Sequence, residues 1–278
     1  EQGEVAEKHK QPTARNSRAE FMAAMTMLIH RYQGQIAGVG LALPGVVNQQ
    51  QGIVKTCAAL PFLETMPLAA RLKDAAHLNT PVVIENDGNA AALAEHWQGK
   101  LAGTINSAMI VLGTGVGAAL FLNGTLYTGS HDVSGEPSFM ITNGLNPITR
   151  AQTAAGLSAV KTVNAMAAAQ HIRGHNLGPR VFKTLKPDTP AAAILATFTQ
   201  GVAAMIYNIQ TVLDLEKIVI GGGISVQSRV IDEIRARVAT YLQVTPLAAR
   251  TIKLPEIVAA KYRNDANLVG AVVPLVAR

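Results

Sequence analysis

The sequence of 278 residues holds a single cysteine, Cys57. That excludes an intrachain disulfide and any zinc site built on cysteines, and it points to a reducing compartment, with the cytoplasm as the expected location. Aromatic residues are scarce at 4% and charged residues at 15%, against 49% apolar, so disordered and fibrous architectures are excluded and a large aliphatic core is expected. The length suits one large domain or two ordinary ones. Lysine and arginine outnumber aspartate and glutamate by 24 to 18, a net charge of +6. They never form a block of five or six, so a nucleic-acid-binding face is not indicated. Long hydrophobic runs are lacking as well. The stretch from Ala108 to Leu122 is broken by Gly113, Gly115 and Gly117 and falls short of the roughly 20 residues that span a bilayer, so no membrane segment is expected. No secretory pattern opens the chain, which begins at Glu1 rather than Met, and no repeat or Pro- or Ser-rich linker divides it.

Glycine, by contrast, is plentiful at 24 residues, which marks many tight turns or close backbone approaches and suits an α/β enzyme. Apolar spacing predicts helices over Ser17–Tyr32, Leu68–Ala76, Asn89–His96, Thr153–Ala169, Ala191–Leu213, Val230–Tyr241 and, despite Pro274, Ala266–Val276. Strands are predicted at Ile36–Leu43, closed by Pro44-Gly45, and at Pro81–Ile84. A meander follows through Ser107–Leu112, Val116–Leu122 and Leu126-Tyr127, with Asn123-Gly124 as a hairpin turn. Later extended pieces are Ile218–Ile220, Ile252–Leu254 and Ile257–Ala259.

Four loops carry candidate chemistry. In Leu112–Gly117 (LGTGVG), alternate glycines leave backbone N–H groups to point at one anion, with the Thr114 hydroxyl as a further donor; an ordinary glycine-rich hairpin reads the same way. It is neither a dinucleotide fingerprint, since no helix follows, nor a P-loop, since no Gly-Lys-Ser/Thr follows. Gly221, Gly222 and Gly223, after an apolar strand, would let the chain pass under a nucleotide or simply turn it into a helix. Glu85-Asn86-Asp87-Gly88 lies at a strand-to-helix junction. There Asp87 could act as a general base and Asn86 could hold the same substrate, or both could be helix caps. Glu136, in the polar loop after the meander, could accept substrate hydroxyls or be a solvated acid. His171 and His175 are four apart, a spacing open to metal binding on a helix, but Gly174 and the lack of an acidic partner favour surface histidines. Cys57 reads as a small buried side chain.

In this order, VGLALPGVV (Val39–Val47), PVVIENDGNAAALAE (Pro81–Glu95), IVLGTGVGAALFLNGTLYTG (Ile110–Gly129), SGE (Ser134–Glu136), IVIGGGIS (Ile218–Ser225) and ANLVGA (Ala266–Ala271) resemble the successive motifs of the ROK family of sugar kinases and related repressors. The resemblance runs from about Gly3 to the end. It implies an α/β fold of two actin-like (ribonuclease H-like) lobes with an active cleft between them. Residues 1–103 and 265–278 would form the small lobe, and 104–264 the large one. It further implies ATP-dependent phosphorylation of a sugar hydroxyl, most often the 6-hydroxyl of a hexose or β-glucoside, with Mg²⁺ accompanying ATP, a small-molecule sugar as partner and a homodimer as assembly. By the same resemblance Asp87 would be the catalytic base, and Asn86, Glu136 and Gly45 would contact the sugar. Gly113, Thr114, Gly115 and Gly117 would hold phosphate, and Gly221, Gly222 and Gly223 the adenosine side.

The departures narrow these expectations. Family members usually place a His three residues after the loop Glu, followed by a cysteine cluster for structural zinc; here Pro137-Ser138-Phe139 follows Glu136, so structural zinc is expected to be absent, as in the branch with β-glucoside kinases. The conventional Asn before the substrate loop is not evident around Cys57–Phe62. The family's opening strand and Asp-x-Gly-Gly-Thr loop are also missing, since the chain begins at what resembles the turn after them, Gln2-Gly3-Glu4. Were Glu1 the true terminus, kinase activity would be poor. A sugar-responsive regulator with a DNA-binding module upstream, or a non-catalytic sugar-binding protein, are the alternatives to a kinase.

Overall fold

The computed structural model describes residues 3–142 and 152–277, so Gln2 of the expected opening turn lies outside the described residues. The chain divides into two compact units. The first comprises Glu1–Gly99, Thr128–Val133 and Asp265–Arg278, and the second comprises Lys100–Tyr127 and Ser134–Asn264.

In the first unit, Ser17 caps α1 (Arg18–Arg31) by accepting the Glu20 N–H, and the helix buries Phe21 and Ile29. Strand β1 (Val39–Leu43) runs parallel to β4 (Val82–Asn86), in register from Val39 opposite Val82 to Leu43 opposite Asn86. A hairpin not anticipated from the sequence, β2 (Val46–Asn48) and β3 (Ile53–Thr56), and α2 (Leu68–Ala75) make the crossover between them. Strand β4 extends two residues past the expected Ile84, because Ala42 and Leu43 of β1 offer ladder partners to Glu85 and Asn86. Backbone pairing thus overrides the loss of apolar pattern. Helix α3 accordingly begins at Asp87, not Asn89, and runs to Gln98. Helix α9 (Ala266–Val276) lies against both β1 and α3. The approach is backbone to backbone: a methyl group on Gly40 would strike Ala271, and one on Gly270 would strike Ala90. Among the described residues β1 pairs on one side only, and the cavity of about 460 Å³ that it lines is shared with Phe21, Met25 and Leu60.

The second unit is built on a five-stranded sheet in the order β7-β6-β5-β8-β9, formed by β5 (Ser107–Leu112), β6 (Val116–Leu122), β7 (Thr125–Tyr127), β8 (Lys217–Gly221) and β9 (Glu256–Ala259). The meander β5-β6-β7 is antiparallel, while β8 and β9 join β5 in parallel through helical crossovers. The segment 252–254 is not a strand. Helices α4 (Ala159–Ala169), α5 (Leu177–Lys183), α6 (Pro190–Leu213), α7 (Ser228–Tyr241) and the short α8 (Pro246–Thr251) complete the unit; α5 and α8 were not evident from apolar spacing.

Helix α6 is long and apolar enough to cross a membrane by length and composition, a description that also fits a core helix. Its buried side includes Leu195, Phe198, Val202, Met205, Ile206 and Gln210, and it packs against α4 and α7. The buried Gln210 side chain accepts the Leu215 N–H and donates to the Leu215 and Lys253 carbonyls, tying the end of α6 to the sheet. A one-sided apolar face with a satisfied buried amide is the pattern of a core helix. Helix α4 stops at Ala169, and His171 is left-handed at φ 56°, so His171 and His175 do not share a helical face. The metal-pair reading lapses with that geometry.

Candidate active site

The first group of candidate residues is assembled where β4 becomes α3. Asn86, the last residue of the strand, is the N-cap of α3: its Oδ1 accepts the Asn89 N–H at 3.0 Å. Its Nδ2 donates to the Gly45 carbonyl at 2.9 Å and to Asp87 Oδ1 at 3.3 Å. Gly45 has φ 97°, and a Cβ there would collide with the Thr56 carbonyl, so the turn between β1 and β2 needs glycine in order to offer that acceptor. Capping is therefore the work of Asn86 and leaves Asp87 unexplained as a cap.

Asp87 is half-buried at the first helical position. Its Oδ1 accepts the Gly88 N–H at 2.9 Å as well as the Asn86 amide. Oδ2 makes no hydrogen bond to another described residue, so one oxygen is fastened and the other is not. Burial pushes the Asp87 carboxyl above its usual range, partly offset by the Gly88 N–H. That shift makes the carboxylate a better base.

Sequence reasoning passed over Glu85. It is 3% exposed, and its Oε1 accepts the Asn86 N–H at 2.8 Å and Asn89 Nδ2 at 3.2 Å. Burial raises its pKa, and the like charge of Asp132 adds in the same direction. Asp132, left-handed at φ 61°, is itself held by Lys55 at 2.5 Å and by Asn48 Nδ2 at 3.1 Å. The only sequence signal for Glu85 was its position beside Asn86, because a carboxylate after an apolar run reads as the end of the strand.

The remaining candidates lie in the second unit. Glu136 is exposed, in the turn after Gly135, and its carbonyl accepts the Phe139 N–H. Gly113, Thr114 and Gly115 connect β5 to β6. The Gly113 N–H donates to the Gly115 carbonyl at 3.0 Å and so closes the turn on itself, which removes that amide from the expected anion cradle. The Thr114 and Gly115 amides donate no hydrogen bond among the described residues and are the ones left for an anion. Parallel pairing of β5 with β8 sets Val111 opposite Gly221, which brings the two glycine loops side by side at the carboxyl ends of the strands. Gly113 and Gly223 both line one cavity of about 420 Å³, with Val160, Val163 and Asn164 of α4 and His175 and Asn176 nearby.

The glycines differ in what demands them. At Gly222, with φ 89°, a Cβ would run into the Leu112 carbonyl, so the fold itself requires glycine there, whereas at Gly221 it would press only on the movable end of the Met109 side chain. At Gly113, Gly117 and Gly223 a Cβ would meet nothing within 4 Å and φ is not in the left-handed region, so nothing in the protein requires glycine there.

Among the described residues no group of three or more His, Cys, Asp or Glu side chains comes together to hold a metal ion. Mg²⁺ carried on nucleotide phosphates takes most of its ligands from phosphate oxygens and water and needs no such cluster.

A mixed α/β chain with a parallel core, glycine loops at strand ends and a carboxylate at a strand-to-helix junction has the features of an actin-like ATPase fold. The chain belongs to the ROK family, whose model matches residues 1–277. It is 29% identical over 274 residues to N-acetylmannosamine kinase of Haemophilus influenzae, covering 97% of this chain and 87% of that protein. It is 27% identical over 242 residues to β-glucoside kinase of Listeria innocua, covering 85% and 78%. A ROK family protein from Streptococcus pneumoniae, solved in complex with sucrose, superposes with a TM-score of 0.80 at 25% identity, over 95% of this chain and 88% of that one.

Proposed function

We propose that this chain transfers the γ-phosphoryl group of ATP to a hydroxyl of a hexose-type sugar, with Asp87 as the general base. The observation that carries the reading is the asymmetry of the Asp87 carboxylate. Oδ1 is pinned by the Gly88 N–H and the Asn86 amide, while Oδ2 accepts from no other described residue. Oδ2 takes the proton of the sugar hydroxyl as the hydroxyl oxygen attacks the γ-phosphorus and the bond to the ADP oxygen breaks. The raised pKa of Asp87 increases its appetite for that proton.

Asn86 retains one acceptor position on Oδ1 for a second sugar hydroxyl, since its Nδ2 is committed to Gly45 and Asp87. Glu136 and the 6-hydroxyl as the point of transfer follow from the family pattern. On the nucleotide side, the cavity beside Gly113 and Gly223 takes the adenosine, and the Thr114 and Gly115 amides face phosphate oxygens. Mg²⁺ bound to those phosphates supplies additional charge neutralisation on the transferred group.

The reading is tested by a coupled ADP-release assay with Mg-ATP against glucose, N-acetylmannosamine, fructose, allose and cellobiose. Turnover with one of these and its loss in Asp87→Asn is the expected result. Substantial turnover in Asp87→Asn removes Asp87 as the base.

A further inference from the structure

We propose that Glu85 is the positioning residue of the phosphoryl-acceptor site: its buried carboxylate clamps Asn86 and Asn89 so that the turn carrying Asp87 is held in one conformation. The inference deepens the kinase reading and rests on it. A carboxylate is costly to bury without a cation, and the partners of Glu85 are not cations but the Asn86 N–H and Asn89 Nδ2, both converging on Oε1. An apolar residue at this end of β4 would serve stability better, so core packing does not account for the acid.

Its geometry does. Oε1 joins the last residue of the strand to the third residue of the helix, on either side of Asp87. The Asn89 N–H in turn holds Asn86 Oδ1, and Asn86 Nδ2 reaches Gly45 and Asp87 Oδ1. The side chains at 85, 86, 87 and 89 thereby form one closed set of hydrogen bonds around the turn. Without Glu85, two donors lose their acceptor and the turn is free to shift. A displacement of about 1 Å at a reacting group costs on the order of a hundredfold in rate.

The test compares the wild-type chain with Glu85→Ala, Glu85→Gln, Asn89→Ala and Asp87→Asn, each measured for kcat and KM on the best sugar of the panel and for thermal unfolding. Glu85→Ala is expected to lower kcat by about 10 to 100-fold with KM for the sugar within about threefold. Glu85→Gln keeps a carbonyl oxygen for the two donors and is expected to recover most of that loss. Asn89→Ala, which removes one donor from the helix side, is expected to lower kcat several-fold and serves as the arbiter where Glu85→Ala does not fold. The proposal is overturned by full kcat in Glu85→Ala or Asn89→Ala, or by a Glu85→Gln as impaired as Glu85→Ala. Near-normal turnover in Asp87→Asn overturns the base assignment instead, and the contrast between Glu85→Ala and Glu85→Gln still decides the clamp.

Discussion

The β4–α3 junction of the first unit and the paired glycine loops of the second approach ligand chemistry in opposite ways. At the junction, the proposed chemistry rests on side chains that hold one another: Glu85 on Asn86 and Asn89, Asn86 on Gly45 and Asp87. At the ends of β5 and β8 the proposed binding rests on backbone, with the Thr114 and Gly115 amides and glycines that leave room above them. The difference follows from the task. Accepting a proton needs a basic oxygen of tuned pKa, which no backbone group provides. Cradling a phosphate needs N–H groups at close range, which every residue but proline has and only glycine leaves uncovered.

The comparison breaks most severely at Asp87. Asp87→Asn keeps the shape but removes the base, and kcat is expected to fall by about 10³-fold or more in the coupled assay, with sugar binding by calorimetry largely retained. Next comes Gly222→Ala, where the added methyl meets the Leu112 carbonyl at a positive φ. A loss of about 2–4 kcal/mol is expected in denaturant unfolding, whatever the ligand.

Gly113→Ala sharpens the contrast, because its methyl meets nothing in the protein. Unfolding should be unchanged within about 0.5 kcal/mol while the KM for ATP rises roughly tenfold. A destabilised Gly113→Ala with unchanged KM would place this glycine with Gly222 as a purely structural one.

The smallest expected effect is a pH-dependent one at Glu85. Burial raises its folded-state pKa above the unfolded value, so its contribution to stability is fully present below the unfolded pKa and is lost as pH rises through the folded one. The neutral amide of Glu85→Gln carries no such dependence. The Tm of Glu85→Gln relative to wild type should therefore climb as pH rises from the acid range through the raised folded-state pKa, and a flat difference would mean that Glu85 is not disfavoured as an anion.

Much of the fold was legible because its local signals are strong. Ser17 before an apolar helix face, Asn123-Gly124 between two β-rich runs, and the apolar Ile218–Ile220 each favour one local structure, and all are found where the pattern put them. The junction was half legible. The Asn and Asp stood out as a polar pair after a strand, but the neighbours that hold them did not, because Glu85 and Asn89 look like ordinary surface residues in a linear pattern. The same limit hid the hairpin β2–β3, whose short strands alternate too briefly to register, and made His171 and His175 look like a helical pair where the chain has already turned left-handed.

The sequence alone determined the α/β class, the alternation of strands and helices, and the residue types that chemistry can use, because periodicity and glycine placement act over a few residues. Tertiary structure decided which of those residues matter together. Pairing with β1 carried β4 through Asn86, and with it buried Glu85 and put Asp87 at the head of α3. Parallel alignment of β5 with β8 brought two distant glycine runs to one cavity and separated the glycines the backbone needs from those it does not. Hydrogen bonding and burial between residues far apart in the chain set these outcomes, and no local pattern encodes them.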